Sequence, residues 1–341
     1  MNDDLEKTDF SDITIIIPTH NRPSLLKRSL KYYSEYKINI IVVDSSEVNL
    51  NCKNNKYLQY FYCPNLSYNE KLLLGSQNIK TKYTTICADD DFFSLNGLLI
   101  GLEFLEKNND YGSVQGNTII FYRYFKFFIF CKENNTHLNN FSRDNKNIKN
   151  RIFEKFLKQN LLYSLTRSKI FIETCRIACK FEEISIFEVT DSIVKSIMAK
   201  QKTLNIFWNA RDMKRYTFYT SSKKNSKNLI LEDFSKFIQT KKGNNYIKNL
   251  TTMFSKFIFE KNLNVEEFRK LLIKNFKAKK KISYKNIHNK FFKRFRIFDI
   301  RFFIYTIIYK FKRNTTYDYP WTSDHSKNDW IKMKKIIFLK L

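Results

Sequence analysis

Ile13-Thr14-Ile15-Ile16-Ile17-Pro18-Thr19-His20-Asn21-Arg22-Pro23 reads as a buried strand that ends in a polar loop and hands over to a helix. Four isoleucines and a threonine in a row have the β-branched content of a strand covered on both faces. Pro18 cannot donate to a sheet ladder and is expected to close the strand. Pro23 suits the first turn of a helix, where its missing N–H costs nothing. Leu25, Leu26, Ser29, Leu30 and Tyr33 then recur at helical spacing over 24–36.

The same alternation continues outward. Residues 38–43 form a second buried strand that ends at Asp44, and a shorter one covers 58–62. A helix is expected over 67–79, with Leu72, Leu73 and Gln77 near one face. Tyr83-Thr84-Thr85-Ile86-Cys87-Ala88 is a further strand, followed by Asp89-Asp90-Asp91 and a helix through Leu98, Leu99, Leu102 and Leu105. Strands alternating with helices give an α/β fold with a mainly parallel sheet covered by helices. Ligands in such sheets bind outside the C-terminal strand ends. Pro18 to Arg22, Asp44 and Asp89 to Asp91 all stand at such ends, so three loops converge on one edge.

Strand signals recur at 111–115 and 119–122, and the Asn-, Lys- and Arg-rich stretch 132–150 reads as a loop or insertion. Helical pattern returns with Ile152, Phe153, Phe156 and Leu157. A helix near 188–200 leads into a strand at 203–207. Beyond Trp208 the strand signals fade, and from about 228 the chain is mostly amphipathic helix. A boundary within 211–228 gives two parts, an α/β domain over 1–215 and a mostly helical region over 216–341.

The aspartate triplet stands out in a chain with 61 Lys and Arg against 33 Asp and Glu and a formal net charge of +28. Side chains two apart on a strand point the same way, so Asp89 and Asp91 are expected to project together and Asp90 elsewhere. Such a pair suits a hard cation, and a divalent ion there would bridge to a substrate diphosphate. The competing account is a solvated turn in which Asp90 or Asp91 caps the next helix.

The basic charge suggests nucleic acid, an anionic membrane surface or an acidic substrate. Lys, Asn, Ile and Phe are abundant together, however, and all have A/T-rich codons, so part of the excess reflects base composition. The six cysteines are scattered with no CxxC pair, which suits buried free thiols in a reducing compartment better than a structural metal. The opening residues 1–6 have no basic region or apolar stretch, so no signal peptide is expected. No uncharged apolar run approaches the roughly 20 residues needed to span a bilayer. The chain therefore reads as cytoplasmic. Residues 291–313 interleave cations with Phe, Ile and Tyr, as an interfacial helix on the inner, anionic membrane face would. Packing on a partner or on the α/β domain would use the same residues.

The segment from Ile13 to Pro23 resembles the opening of family-2-like glycosyltransferases, which have the GT-A fold. Ile40-Ile41-Val42-Val43-Asp44-Ser45-Ser46 resembles the second strand of that family, although the family more often has two Asp followed by Gly-Ser. The triplet looks like its Asp-X-Asp motif. Glu188-Val189-Thr190-Asp191 stands where the family places a Glu-Asp pair opening a helix. The resemblance covers roughly 12–207 and thins after about 125. It implies that Pro18, Thr19, Asn21, Arg22, Asp44, Asn69, Lys71, Asp89 and Asp90 meet a nucleotide-sugar donor. It also implies that Asp89 and Asp91 hold Mg2+ or Mn2+, with Asp91 the direct ligand. Asp191 or Glu188 would be the general base, with Glu182 and Glu183 not far upstream. The expected reaction is inverting sugar transfer to a glycan or lipid-linked acceptor in bacterial surface polysaccharide synthesis. Two other classes compete: a basic, aromatic-rich nucleic-acid-binding protein, and a relative that binds nucleotide sugar without transferring it. No nucleic-acid module is recognisable, and the N-terminal motif series has no place in that reading.

Overall fold

The computed structural model describes residues 9–124, 128–134, 151, 161–179, 184–212, 237, 239–258, 266–270 and 324–338. β1 (Ile13–Thr19) lies inside the sheet because its isoleucines have partners on both faces: Ile13, Ile15, Ile16 and Ile17 are all buried. It pairs in parallel with β2 (Asn39–Asp44) on one side and β4 (Tyr83–Ile86) on the other. Pro18 does not close the strand, since Pro18 and Thr19 still stand in register with Val43 and Asp44. β3 (Leu58–Tyr62) extends the sheet beyond β2. The chain thus steps outward from β1 to β3 and returns as β4 on the other flank of β1. That reversal is a topological switch point, where an open α/β sheet leaves a crevice at its strand ends.

The remaining strands are β5 (Phe92–Phe93), β6 (Tyr111–Tyr124), β7 (Phe128–Asn134), β8 (Leu165–Arg167) and β9 (Lys200–Asp212). The sheet order is β3-β2-β1-β4-β8-β6-β9-β5, with β7 on β6. β8 runs antiparallel to both β4 and β6, β9 runs parallel to β6, and β5 is antiparallel to β9. Six of the nine strands described, β1 to β4, β6 and β9, therefore run in one direction, as the alternation implied, while the neighbouring pairs divide into four parallel and four antiparallel. Residues 111–124 make one long strand rather than two. Residues 132–134, expected in a loop, belong to β7.

Each early helix is readable in its local chemistry. α1 (Pro23–Tyr33) starts on a proline and buries Leu25, Leu26, Arg28, Ser29, Tyr32 and Tyr33 along one stripe. α2 (Tyr68–Gln77) opens with a capping box, in which the Ser67 hydroxyl accepts from the Glu70 N–H and the Glu70 carboxylate accepts from the Ser67 N–H. Its inner face is Asn69, Lys71, Leu72, Gly75 and Ser76, with Leu73 half-buried against the core and Gln77 exposed, because the helix packs closely on β1 and β2. α3 (Leu95–Lys107) is capped by Ser94, whose hydroxyl accepts from Gly97 N–H. Gly97 is needed for the approach to β9: a Cβ there would lie 2.5 Å from the Phe207 carbonyl oxygen.

α4 (Ser168–Ala178) and α5 (Ile184–Met198) pack on each other and on α2, and α6 (Lys241–Ile258) joins α5. α7 (Asp324–Ile337), near the chain's end, packs on α1 and α3. It adds Trp330, Met333, Ile336 and Ile337 to the same apolar core as β1 and β2. The expected helix at 152–157, the interfacial segment 291–313 and, apart from Arg211 and Asp212, the boundary at 211–228 lie outside the described residues. Among the described residues no helix is long and apolar enough to cross a membrane. None of the cysteines described forms a disulfide; Cys87 and Cys175 are buried, and Cys52, Cys63 and Cys179 are half-buried.

Candidate functional site

The switch point between β1 and β4 is bridged by side chains. The Thr19 hydroxyl donates to Asp89 Oδ2 at 2.6 Å. Arg22 Nη1 lies 3.0 Å from Asp89 Oδ1 and 3.3 Å from Asp90 Oδ2. Arg22 can reach both because the loop before it turns through the left-handed region at Asn21, with φ of 53°. Asparagine tolerates that conformation better than most residues. Its N–H donates to Ser46 Oγ at 2.7 Å, and its Oδ1 accepts from Glu47 N–H at 2.9 Å. Asn21 thus ties the loop to the end of β2.

Asp44, at that end, is fully buried. Its Oδ2 accepts from Tyr60 OH at 2.7 Å, and its Oδ1 accepts from Ser46 N–H at 2.8 Å and from the Ser46 hydroxyl. The altered turn, Asp44-Ser45-Ser46 with no glycine, is therefore held by side-chain hydrogen bonds. Lys71 is buried as well, and its Nζ donates to Thr19 O and Ser45 Oγ, each at 2.8 Å. Burial lowers its pKa to about 8, against the pull of Asp89 and Asp44. Asn69 is buried and donates to Ala178 O at 3.5 Å, a contact that ties α2 to α4. Neither residue stands on a solvated helix face.

The triplet does not continue a strand. β4 ends at Ile86, and Asp91 N–H donates to Ala88 O at 3.1 Å, which closes a turn over 88–91. Strand alternation therefore fails as a guide, and the grouping changes: Asp89 and Asp90 share Arg22, while Asp91 turns towards β9. Asp91 Oδ1 accepts from Asp212 N–H at 2.9 Å and Oδ2 accepts from Tyr163 OH at 2.5 Å. Arg211 Nε lies 3.4 Å from the same Oδ2. Arg28, buried on α1, donates to Asp90 O at 3.1 Å and approaches Asp212 Oδ2 at 3.6 Å. Burial raises the pKa of all three triplet carboxyls, with Arg22 opposing the rise at Asp89 and Arg211 at Asp91.

A hard cation takes six or more oxygens around an open position. Here the oxygens of Asp89 and Asp91 are already met by hydroxyl, amide and guanidinium donors. Among the described residues no group of three or more His, Cys, Asp or Glu is placed to hold a metal ion. In this arrangement the carboxylates fit side-chain cations, and Mg2+ or Mn2+ would require Arg22 and Arg211 to turn away.

The two base candidates differ in surroundings. Asp191 lies within α5, is buried, and its Oδ2 accepts from Lys195 Nζ at 2.8 Å; Lys195 also donates to Leu161 O and Ser164 Oγ. Glu188 is exposed. The protein around it still displaces enough hydration to raise its pKa; Arg211 works against that rise and Asp191 adds to it. Glu188 is thus electrostatically linked, through Arg211, to Asp91. Glu182 and Glu183 lie outside the described residues.

Arg28, Tyr163, Arg211 and Asp212 had no signal in the local sequence pattern that pointed to the strand ends. Arg211 and Asp212 close a strand expected to stop near 207. Cations and carboxylates at a strand's C-terminal end were the one clue available.

Residues 14–159 match the family model described as Glycosyl transferase family 2. An uncharacterized glycosyltransferase of Rickettsia conorii is 29% identical over 106 residues, 28% of this chain and 18% of that protein. An uncharacterized glycosyltransferase of Rickettsia bellii is 30% identical over 106 residues, 28% of this chain and 15% of that protein. The chain thus spans less than a fifth of the length of these relatives. Among solved structures, S. aureus TarS 1-349 aligns at a TM-score of 0.45 and 9% identity, covering 85% of this chain and 77% of that one. The same fragment in complex with UDP-GlcNAc aligns at 0.43 and 10%, covering 73% of each. The family match over 14–159 is thus a similarity of that part of the chain to glycosyl transferase family 2, and the sheet flanked by helices resembles the GT-A fold.

Proposed function

We propose that the chain transfers a sugar from a nucleotide-diphosphate donor to an acceptor hydroxyl, with inversion at the anomeric carbon. The observation that carries this reading is the junction of Thr19, Arg22 and Asp89 across the β1–β4 switch point. Thr19, Arg22, Asp89 and Asp90 would line the donor, while Pro18, Asn21, Asp44 and Lys71 keep the loops around it in shape. Asn69 ties α2, which carries Lys71, to α4. Glu188 is the base in this reading: it is exposed, whereas Asp191 is buried against Lys195.

Glu188 takes the proton of the acceptor hydroxyl as its oxygen attacks the anomeric carbon. The bond from that carbon to the diphosphate oxygen breaks, and the nucleoside diphosphate leaves with the electron pair. Positioning and charge carry most of the rate in such a scheme. No step of it passes through Mg2+ or Mn2+. The acceptor class we propose is a glycan or lipid-linked hydroxyl of a bacterial surface polysaccharide, which rests on the family and on the bacterial relatives. Work at the inner membrane face would suit a lipid-linked acceptor.

Glu188→Gln is expected to lower turnover at least about 100-fold, the lower end of what a positioned base contributes, with donor affinity kept. Full turnover in Glu188→Gln would remove Glu188 from the role.

A further inference from the structure

Among the described residues four cations stand around the triplet, and two of them, Lys71 and Arg28, are buried in fixed contacts. Lys71 is buried on Thr19 O and Ser45 Oγ. Arg28 is buried between Asp90 O, Asp212 and the Phe92 ring, 5.2 Å from the ring centre. Arg22 spans Asp89 and Asp90. Arg211 is held differently. Its side chain is 37% exposed, and its Nε stands 3.4 Å from Asp91 Oδ2. That is longer than the ~2.7–2.9 Å of a charge-assisted hydrogen bond. Its guanidinium lies over the Tyr163 ring, 4.9 Å from the centroid.

We propose that Arg211 binds the donor's diphosphate, giving up Asp91 when that anion arrives; this rests on the nucleotide-sugar reading above. Stacking on Tyr163 engages the flat face of the guanidinium and leaves the edge donors of its fork for two phosphate oxygens. Asp91 is not left bare by the exchange, because the Tyr163 hydroxyl and the Asp212 N–H remain on its two oxygens. The Asp212 contact joins the end of β9 to the triplet, so Arg211 is carried on a fixed strand end rather than a free loop. As the sugar–oxygen bond breaks, the diphosphate gains charge, and a guanidinium already aimed at it stabilises that charge. A cation supplied in this way also accounts for carboxylates that are fully engaged with side-chain donors.

The test is calorimetric titration of the wild type, Arg211→Met and Arg211→Lys with UDP, GDP, ADP and CDP in EDTA, and with the matching nucleosides by competition. The wild type is expected to bind one nucleoside diphosphate without metal. Arg211→Met should lose roughly 10- to 100-fold in that affinity, the value of hydrogen bonds to a charged group, with nucleoside affinity unchanged. Arg211→Lys, which keeps the counter-charge of Asp91, should retain part of the loss. Equal diphosphate affinity in wild type and Arg211→Met would overturn this assignment alone. Binding that vanishes in EDTA and returns with Mg2+ would overturn it by giving the charge to a metal ion. A wild type that binds no nucleoside diphosphate under either condition would overturn both this assignment and the reading beneath it.

Discussion

Lys71 shows at the scale of one residue how a buried charge can shape a loop. Its ammonium group holds the Thr19 carbonyl and the Ser45 hydroxyl together, joining the ends of β1 and β2 next to Asp89. Burial makes that charge costly and lowers the pKa to about 8. Lys71 is therefore protonated below about pH 8 and loses its charge as the pH rises through that value. Donor affinity should fall over the same window, and Lys71→Arg should remove the titration. The stability contribution has the opposite sign. An unfolded lysine titrates near 10.4, so between about pH 8 and that value the unfolded chain holds the extra proton, and stability from this group rises with pH. A fall in affinity together with no loss of melting temperature would match this account. An affinity flat across pH 7–9 would contradict it.

At the scale of the element, α5 separates two carboxylates that look equivalent in sequence. Asp191 and Lys195 are four apart on one face, and both are buried. Removing one member of a buried pair leaves the other charge uncompensated, which costs about 3–5 kcal/mol. Asp191→Asn should therefore lower the unfolding midpoint in denaturant, while Glu188→Gln should leave it nearly unchanged. Equal midpoints for Asp191→Asn and wild type would mean that the pair carries no stability. Apart from the two-residue β5, the elements over the first 107 residues were legible because their apolar periods are clean and their punctuation is explicit, as in Pro23, the Ser67–Glu70 box and the Asp89–Asp91 run. Residues 128–134 were not, since Lys132, Glu133 and Asn134 read as loop and their pairing with β6 is a long-range choice. Periodicity also placed the triplet on a strand, because it cannot show that β4 stops at Ile86. Arg211, Tyr163 and Arg28 were hidden for a related reason: their partners lie 60 or more residues away, and only the folded sheet brings them to Asp90 and Asp91.

At the scale of the whole molecule, α7 fastens the far end of the chain to the segment that follows the triplet. Asp329 is buried, and its Oδ2 accepts from Ser94 Oγ at 2.6 Å and Asn96 N–H at 3.0 Å, at the positive end of α3. Trp330 meets Phe121 edge-on, and Lys332 donates to Tyr36 OH at 2.9 Å. A chain ending at 323 would expose the core that Trp330, Met333, Ile336 and Ile337 cover, at about 1.5–3 kcal/mol for each large side chain. It should unfold at lower denaturant than the full chain. Asp329→Ala alone should cost about 1–3 kcal/mol, because the Ser94 hydroxyl and the Asn96 amide lose a buried acceptor. Unchanged denaturant midpoints for both would show that α7 is not part of the fold's core.

The central claim is that the edge at Thr19, Arg22 and Asp89 receives a nucleotide-diphosphate sugar. Its most direct test is equilibrium titration of the full chain with a panel of such sugars, repeated with Arg22→Met. One donor is expected to bind the wild type at a single site, and Arg22→Met should weaken it roughly tenfold or more, as loss of a charge-assisted contact does. A wild type that binds no member of the panel, or an Arg22→Met variant that binds as well as the wild type, would contradict the account.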